Sequence, residues 1–198
     1  SCTGKGGEVA HNFDPEHLDV LHTEERKRIF PAEKAVELSG CSTGDIVVDI
    51  GCGSGYLTIP AAQAVGSSGM VYGIDTSERM LEVLNRQISK LGISNIKTLI
   101  SDEYKLPLED GICSRAVMSS VFHEVDDRIL FARAALDVLV SGGTLTIFEM
   151  IPGVVGIGPP EHHRVSSETV ASDLEKAGYT IADSGNMNGF FYYVTGRK

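Results

Sequence analysis

The sequence predicts an α/β fold, a doubly wound and mostly parallel sheet with helices on both faces, on three observations. Apolar runs of strand length alternate with helical stretches between residues 45 and about 150, the pattern of βαβ units around a parallel sheet. The first of these runs leads into a glycine-rich turn, Gly51-Cys52-Gly53-Ser54-Gly55, that opens a helical stretch. Successive strand candidates also finish in carboxylates, Asp49, Asp75 and Asp102, at the edge where open α/β sheets bind ligands. With 198 residues, 42% of them hydrophobic, the chain can bury the core of one domain. Residues 1–198 are therefore read as a single domain, since its Pro and Gly punctuate periodic segments without a repeat or low-complexity tract.

In chain order, residues 1–10 are expected to be flexible, and Ser1 in place of an initiator Met reads as a trimmed or tagged start. Residues 11–40 form a helical cap, with helices around Pro15 to Leu21, Glu24 to Phe30, and Pro31 to Gly40. Asp45 to Ile50 is β-branched and reads as a strand buried on both faces. A helix from about Ser54 to Val65 follows, stopped by Gly66. Met70 to Asp75 is a second strand. Thr76 or Ser77 then caps a helix whose Met80, Leu81, Leu84, Ile88 and Leu91 recur at helical spacing until Gly92. Ile96 to Ile100 and Ala116 to Ser120 are strands, Asp127 to Leu139 a helix, and Thr144 to Phe148 a strand after the Gly142-Gly143 turn. Ser166 to Ala177 is helical. Tyr179 to Ser184 and Phe190 to Thr195 flank a short turn and must pair antiparallel, which brings the sheet to seven strands.

The formal net charge of −10 repels nucleic acid, and Arg26-Lys27-Arg28 reads as a solvated helix face. No apolar run approaches the roughly 20 residues that span a bilayer, and Ser1 to Gly7 has neither a basic start nor an apolar signal core. A soluble, cytoplasmic protein with no nucleic-acid or membrane partner is expected. Cys2, Cys41, Cys52 and Cys113 contain no C-x-x-C pair, which fits free thiols in a reducing compartment and no zinc site.

The glycine turn spaces its residues G-x-G-x-G, with Tyr56 where a dinucleotide fingerprint wants a small residue. Asp49, just before it, would repel a pyrophosphate and suit a cationic ligand. Both features disfavour a nicotinamide cofactor. Asp75 lies twenty residues past Gly55, where a carboxylate can accept both hydroxyls of a ribose.

Through Val47-Val48-Asp49-Ile50-Gly51-Cys52-Gly53-Ser54-Gly55-Tyr56, Asp75 and Asp102, the chain resembles the class I S-adenosylmethionine (SAM)-dependent methyltransferases. It is most similar to small enzymes of the ubiquinone and menaquinone methyltransferase type. Asn12-Phe13-Asp14-Pro15 and Val121-Phe122-His123-Glu124-Val125 extend the likeness to about residues 12–195. The resemblance implies SAM as cofactor and a small-molecule methyl acceptor. It implies Gly51 and Gly53 against the methionine end, Asp75 on the ribose, Thr76 and Met80 near the adenine, Asp102 at its amino group, and the backbone around Ser119 by the methionine moiety. Asp49, Cys52, Gly55 and Glu103 complete the candidate cofactor residues. Met80 also fits a core position by its helical spacing. The acidic residue such enzymes often carry at the start of the fourth strand is replaced by Ser114 and Arg115.

Methyl transfer can proceed largely by positioning, so a base is optional. His123, just past the fourth strand, is the candidate catalytic base, against a role in ordering its loop by bonding backbone. Glu124 reads as structural. No Asn-Pro-Pro-Tyr or Pro-Cys signature marks an amino-group or cytosine-C5 acceptor. Glu149 to Val165, rich in Gly and Pro, is a candidate lid or acceptor loop; its Glu161-His162-His163 lacks metal-ligand spacing. The alternatives are an NAD(P)-dependent oxidoreductase on a related sheet and a SAM-binding protein without catalysis.

Overall fold

In the computed structural model, which describes residues 24–198, the central strand β1 (Ile46–Ile50) lies between β2 (Met70–Asp75) and β4 (Cys113–Ser119). The sheet continues through β3 (Ile96–Ile100) beside β2, and on the other side through β5 (Leu139–Met150), β7 (Phe191–Arg197) and β6 (Thr180–Asn186). The seven-stranded order is β3-β2-β1-β4-β5-β7-β6. All pairs from β3 to β5 are parallel, while β7 runs antiparallel to both its neighbours. Winding from β1 goes outward to β3 and then returns to β4, so the crevice between β1 and β4 is the topological switch point at which such sheets bind ligands.

Alternation along the strands divides the core between two faces. Val47, Val117, Phe148 and Tyr193 point to one face, which carries α2 (Ala32–Leu38) and α3 (Thr58–Val65) together with Phe30. Val48, Met118, Ile147 and Val194 point to the other, under α5 (Arg128–Val138) and α6 (Ser167–Ala177). The short α1 (Glu24–Ile29) precedes α2, and α4 (Glu78–Leu91) buries Leu81, Val83 and Leu84. Side-chain caps start three helices: Ser77 for α4, one of the two caps expected there, and Asp127 for α5 and Ser166 for α6, each expected as the first residue of its helix. Gly92 and Gly178 end α4 and α6 in the left-handed conformation.

Several expected boundaries move. The helix expected from Ser54 begins only at Thr58, because Gly51, Gly53 and Gly55 all take positive φ (74°, 52° and 94°) and no helical turn can close through them. β4 starts at Cys113 instead of Ala116. β5 starts at Leu139, directly after α5, instead of after Gly142-Gly143. Residues 140–143 bulge out there, since Cys113 pairs with Leu139 but Arg115 with Thr144. Lys198 secures the bulge by donating its backbone N–H to Gly143 and accepting from Gly142, while its Nζ caps the carbonyls of Leu136 and Leu139. Leu91, expected on the apolar stripe of α4, is 58% exposed in the last turn, and Val83 is buried instead. The expected helix at Pro15 to Leu21, the segment Asn12 to Pro15, Cys2 and the expected flexibility of residues 1–10 fall outside the described residues.

α4 presses on the glycine turn through Leu84, which is fully buried. A Cβ on Gly55 would overlap Leu84 Cδ1. Gly55→Ala should therefore cost about 2 to 5 kcal/mol, the sum of a left-handed alanine and an overpacked contact. In urea unfolding, Gly55→Ala combined with Leu84→Ala should lose clearly less stability than the two single variants summed; strict additivity would show that the two groups do not meet.

Candidate active site

The three glycines of the turn do different work. Gly51 lies under the Val121 side chain and Gly55 under Leu84, whereas among the described residues, the chain neighbours aside, no atom stands within 4 Å of a Cβ on Gly53. Gly53 is thus the position at which backbone can approach a ligand. The backbone N–H groups of Gly51 and Cys52 both donate to the carbonyl of Ile74, at 2.8 and 3.0 Å. The Cys52 side chain turns inward against Leu81 and Leu84, where burial first, and the nearby carboxylates second, push its thiol pKa far up. It contributes backbone, not sulfur chemistry.

Asp75, at the end of β2, joins this turn to the next. Its Oδ2 accepts the Gly53 N–H and its Oδ1 the Ser77 N–H, both at 2.8 Å. A carboxylate offers about four acceptor directions, so it retains capacity for hydroxyl groups. Asp49, 2% exposed, accepts the Thr58 hydroxyl at 2.6 Å. Burial pushes its carboxyl up to about 7, the Thr58 hydrogen bond opposes this and the Asp75 charge adds to it. A buried carboxyl in that state gains from a cation brought alongside. Around the end of β3, Asp102 and Glu103 are exposed and Asp102 forms a bridge with Lys105. Thr76 is exposed and Met80 half-buried outside the three apolar clusters.

β4 ends at Ser119, opposite Phe148. Ser120 takes φ 57°, a conformation uncommon outside glycine and one that collects at functional sites, and its N–H donates to the Phe148 carbonyl at 3.0 Å. The turn brings Val121 onto Gly51 and starts the 3₁₀ turn Phe122–Glu124. His123 is held there by Glu149, whose Oε1 accepts its backbone N–H at 3.1 Å and whose Oε2 lies 2.7 Å from Nδ1. Burial opposes a charge on the imidazole, yet the Glu149 hydrogen bond and charge, with a contribution from Glu124, outweigh it and raise the pKa.

Glu149 was not among the residues singled out in the sequence, where it stands at the head of the expected lid loop. It belongs to β5 and is 2% exposed. A charged residue closing an apolar strand run, Leu145 to Phe148, is the signal that could have found it. The irregular segment begins at Ile151 and is organised by Arg164. The guanidinium of Arg164, with its side chain 4% exposed, donates to the carbonyls of Ile151, Val154, Ile157 and Pro159. His162 and His163 meet edge to face at 4.3 Å, away from His123; among the described residues no three His, Cys, Asp or Glu converge as metal ligands. Ser114 and Arg115 both turn to Asp45, at 2.8 and 3.8 Å, on the opposite edge of the sheet. Arg26 and Arg28, expected as a solvated face, lie over the rings of Tyr56 (4.0 Å) and Phe190 (5.1 Å).

A glycine cradle, a buried carboxyl suited to a cation and a ribose-competent carboxylate at the β1/β4 crevice are matched by what the chain is similar to. The family model described as "Methyltransferase domain" matches residues 47–143. A SAM-dependent methyltransferase from Aquifex aeolicus superposes with a TM-score of 0.87 at 28% identity, covering 94% of this chain and 99% of that one. The chain carries a methyltransferase domain of the SAM-dependent kind. The cofactor of that family is SAM, and the nicotinamide alternative is set aside. Among its relatives are a demethylmenaquinone methyltransferase of Staphylococcus aureus, 34% identical over 110 residues (56% of this chain, 45% of the relative), and an aklanonic acid methyltransferase of a Streptomyces species, 41% identical over 69 residues (35% of this chain, 31% of the relative). The chain spans 31% to 45% of the length of four curated relatives it matches. Among the described residues no helix is long and apolar enough to cross a membrane.

Because Asp75 holds two backbone N–H groups, its removal should be felt without any ligand. Asp75→Ala should lower stability by roughly 1.5 to 3 kcal/mol, the range for hydrogen bonds to a charged group. It should also speed hydrogen exchange at the Gly53 and Ser77 amides; unchanged protection at both would refute the bridging role.

Proposed function

We propose that the protein transfers the methyl group of SAM to a small-molecule acceptor at the carboxyl edge of β1, β4 and β5. The observation that carries this reading is the juxtaposition of the open Gly53 backbone with Asp49 and Asp75 at the β1/β4 crevice. SAM supplies an electrophilic methyl on a sulfonium. Asp49 and the Gly51 to Gly55 turn take the cationic amino-acid end, Asp75 receives the ribose hydroxyls beside its two backbone partners, and Thr76, Met80, Asp102 and Glu103 border the adenine. The backbone of Ser119 and Ser120 positions the methionine moiety, and His123 faces the acceptor. The Ile151 to Arg164 segment and α1 cover the acceptor side, closed against the β6–β7 turn by Asn188, which donates to the Ile29 carbonyl at 2.7 Å.

A small acceptor is supported by the net charge of −10, which disfavours nucleic acid, and by the relatives named for demethylmenaquinone and aklanonic acid. A cytoplasmic site of action is supported by the free thiols of Cys41, Cys52 and Cys113. The deciding experiment pairs titration calorimetry with a metabolite extract supplied with methyl-labelled SAM. SAM binding with label appearing in a metabolite is expected. SAM binding without any labelled product would leave a non-catalytic SAM-binding protein, and NADH binding without SAM binding would end the reading.

Asp49 makes the cofactor step depend on pH. In the ligand-free fold its carboxyl is raised from 3.8 to about 7, so the native state holds this proton more tightly than the unfolded chain. Its contribution to stability is full below the unfolded value and is lost as pH rises toward 7. A bound cation favours the carboxylate, so SAM binding should release up to one proton between about pH 5 and 7 and tighten across that window. Calorimetry in buffers of different ionisation enthalpy reads the proton directly; Asp49→Asn should abolish the release, and equal release by that variant would reject Asp49 as its source.

A further inference from the structure

We infer that Glu149 is the positioning residue for His123 and that the pair fits the site to protic acceptors, hydroxyl or enol groups that give up a proton as they take the methyl, an inference resting on the methyl-transfer reading above. Both Glu149 oxygens are committed to one residue, Oε1 to the His123 backbone N–H and Oε2 to Nδ1. An ionised carboxylate has no proton to donate, so Nδ1 carries the hydrogen and Nε2 is left with its lone pair. That is the tautomer a general base requires. Hydrogen bonding alone would be met by a neutral amide, whereas a carboxylate at 2% exposure carries a desolvation cost that a cationic partner offsets. The position of Glu149 is thus explained by an imidazole that becomes charged.

The charged and titratable groups around the ring are few. On its own turn, the Glu124 carboxylate stands 3.7 Å from Nε2, too far for a hydrogen bond, with its side chain 71% exposed to solvent. On β7, Tyr192 is in register with Glu149, but its hydroxyl donates to the Val165 carbonyl at 2.6 Å and leaves Glu149 to the histidine. Glu168 and Arg128, from α6 and α5, act on Tyr192, and Arg128 is paired with Asp173 at 2.7 Å. His123 stands two residues after Val121, which rests on Gly51, so the base and the glycine turn share one wall at the β1/β4 crevice.

The step balances without a further reactant. The acceptor oxygen attacks the methyl carbon, the C–O bond forms as the C–S bond breaks, and the C–S electron pair stays on sulfur as a neutral thioether. The acceptor proton passes to Nε2, and the imidazolium, held against Glu149, returns it to solvent.

The test uses the full chain labelled with ¹⁵N-histidine and bound to S-adenosylhomocysteine. The expected spectrum shows neutral His123 protonated at Nδ1, and Glu149→Gln should lower the His123 pKa by about 1 to 3 units, the range for removing a close opposite charge. Turnover is measured with catechol as the O–H probe and pyridine as a probe with no proton to lose. Glu149→Gln should lower the catechol-to-pyridine rate ratio on the order of 100-fold, with KM for SAM unchanged, and move the acidic limb of the catechol pH profile down. Glu149→Asp, which keeps the charge, should retain the wild-type limb and serves if the glutamine variant fails to fold. An Nε2–H tautomer, an unmoved His123 titration, or a SAM-bound protein that methylates pyridine but not catechol, or neither, overturns the inference. Failure of wild type to bind SAM overturns the methyl-transfer reading instead.

Discussion

The Asp75 carboxylate accepts one backbone N–H from the glycine turn and one from the cap of α4, 2.8 Å each, and the half of the molecule proposed to hold the cofactor depends on that bridge. Three residues of positive φ in five make the turn costly to order by itself, because glycine loses the most backbone freedom on folding. The cost is met from outside the turn. Ile74 takes two of its N–H groups, Asp75 a third, Val121 closes over Gly51 and Leu84 over Gly55. Of the three glycines, Gly53 alone has no side chain of the described residues over it, so the same contacts that make the turn rigid also decide where it can be approached. A rigid cradle of this kind spends little binding energy on ordering itself when a ligand arrives.

The cofactor half was also the more legible half in the sequence. β2 and β3 have the bounds their apolar runs suggest, and Ser77, Asp127 and Ser166 cap the helices they precede, because period and capping are local properties. The Ser54 to Leu57 stretch was misplaced for a reason that is local too, since the glycine conformations that delay α3 appear only as permissiveness in a sequence. The early start of β5 was hidden by Gly142-Gly143, which reads as a turn between elements and is in fact a bulge within one, held by Lys198 from the far end of the chain. That partner lies 55 positions or more downstream, beyond any window of periodicity.

The half proposed to face the acceptor was less legible because side chains meeting across long separations build it. His123 stood out by residue type and by its place after a strand, yet the partner that gives it a tautomer is 26 residues away. Arg164 carries no signal of its role in the sequence. Its burial and its four carbonyl partners are invisible until the Ile151 to Pro160 backbone is folded around it.

The two halves are therefore held by different physics. At the cofactor end, backbone groups, the Asp75 carboxylate and the buried contacts of Val121 and Leu84 fix the shape of the turn. At the acceptor end, one guanidinium satisfies the carbonyls of a segment that has almost no regular structure of its own, and one carboxylate fixes one imidazole. A cleft of about 450 Å³, bordered by Ile151, Ser166, Asn186 and Tyr192, opens where that segment meets α6 and the end of β6. Ile151 and Pro152 of the segment line it together with residues of α6, β6 and β7. Substitutions at Ile151 or Pro152 would change that lining while Arg164 continues to hold main-chain carbonyls, which are present whatever the side chains are. Under the proposed function, one sheet and one cofactor cradle would in this way serve different acceptors without rebuilding the core.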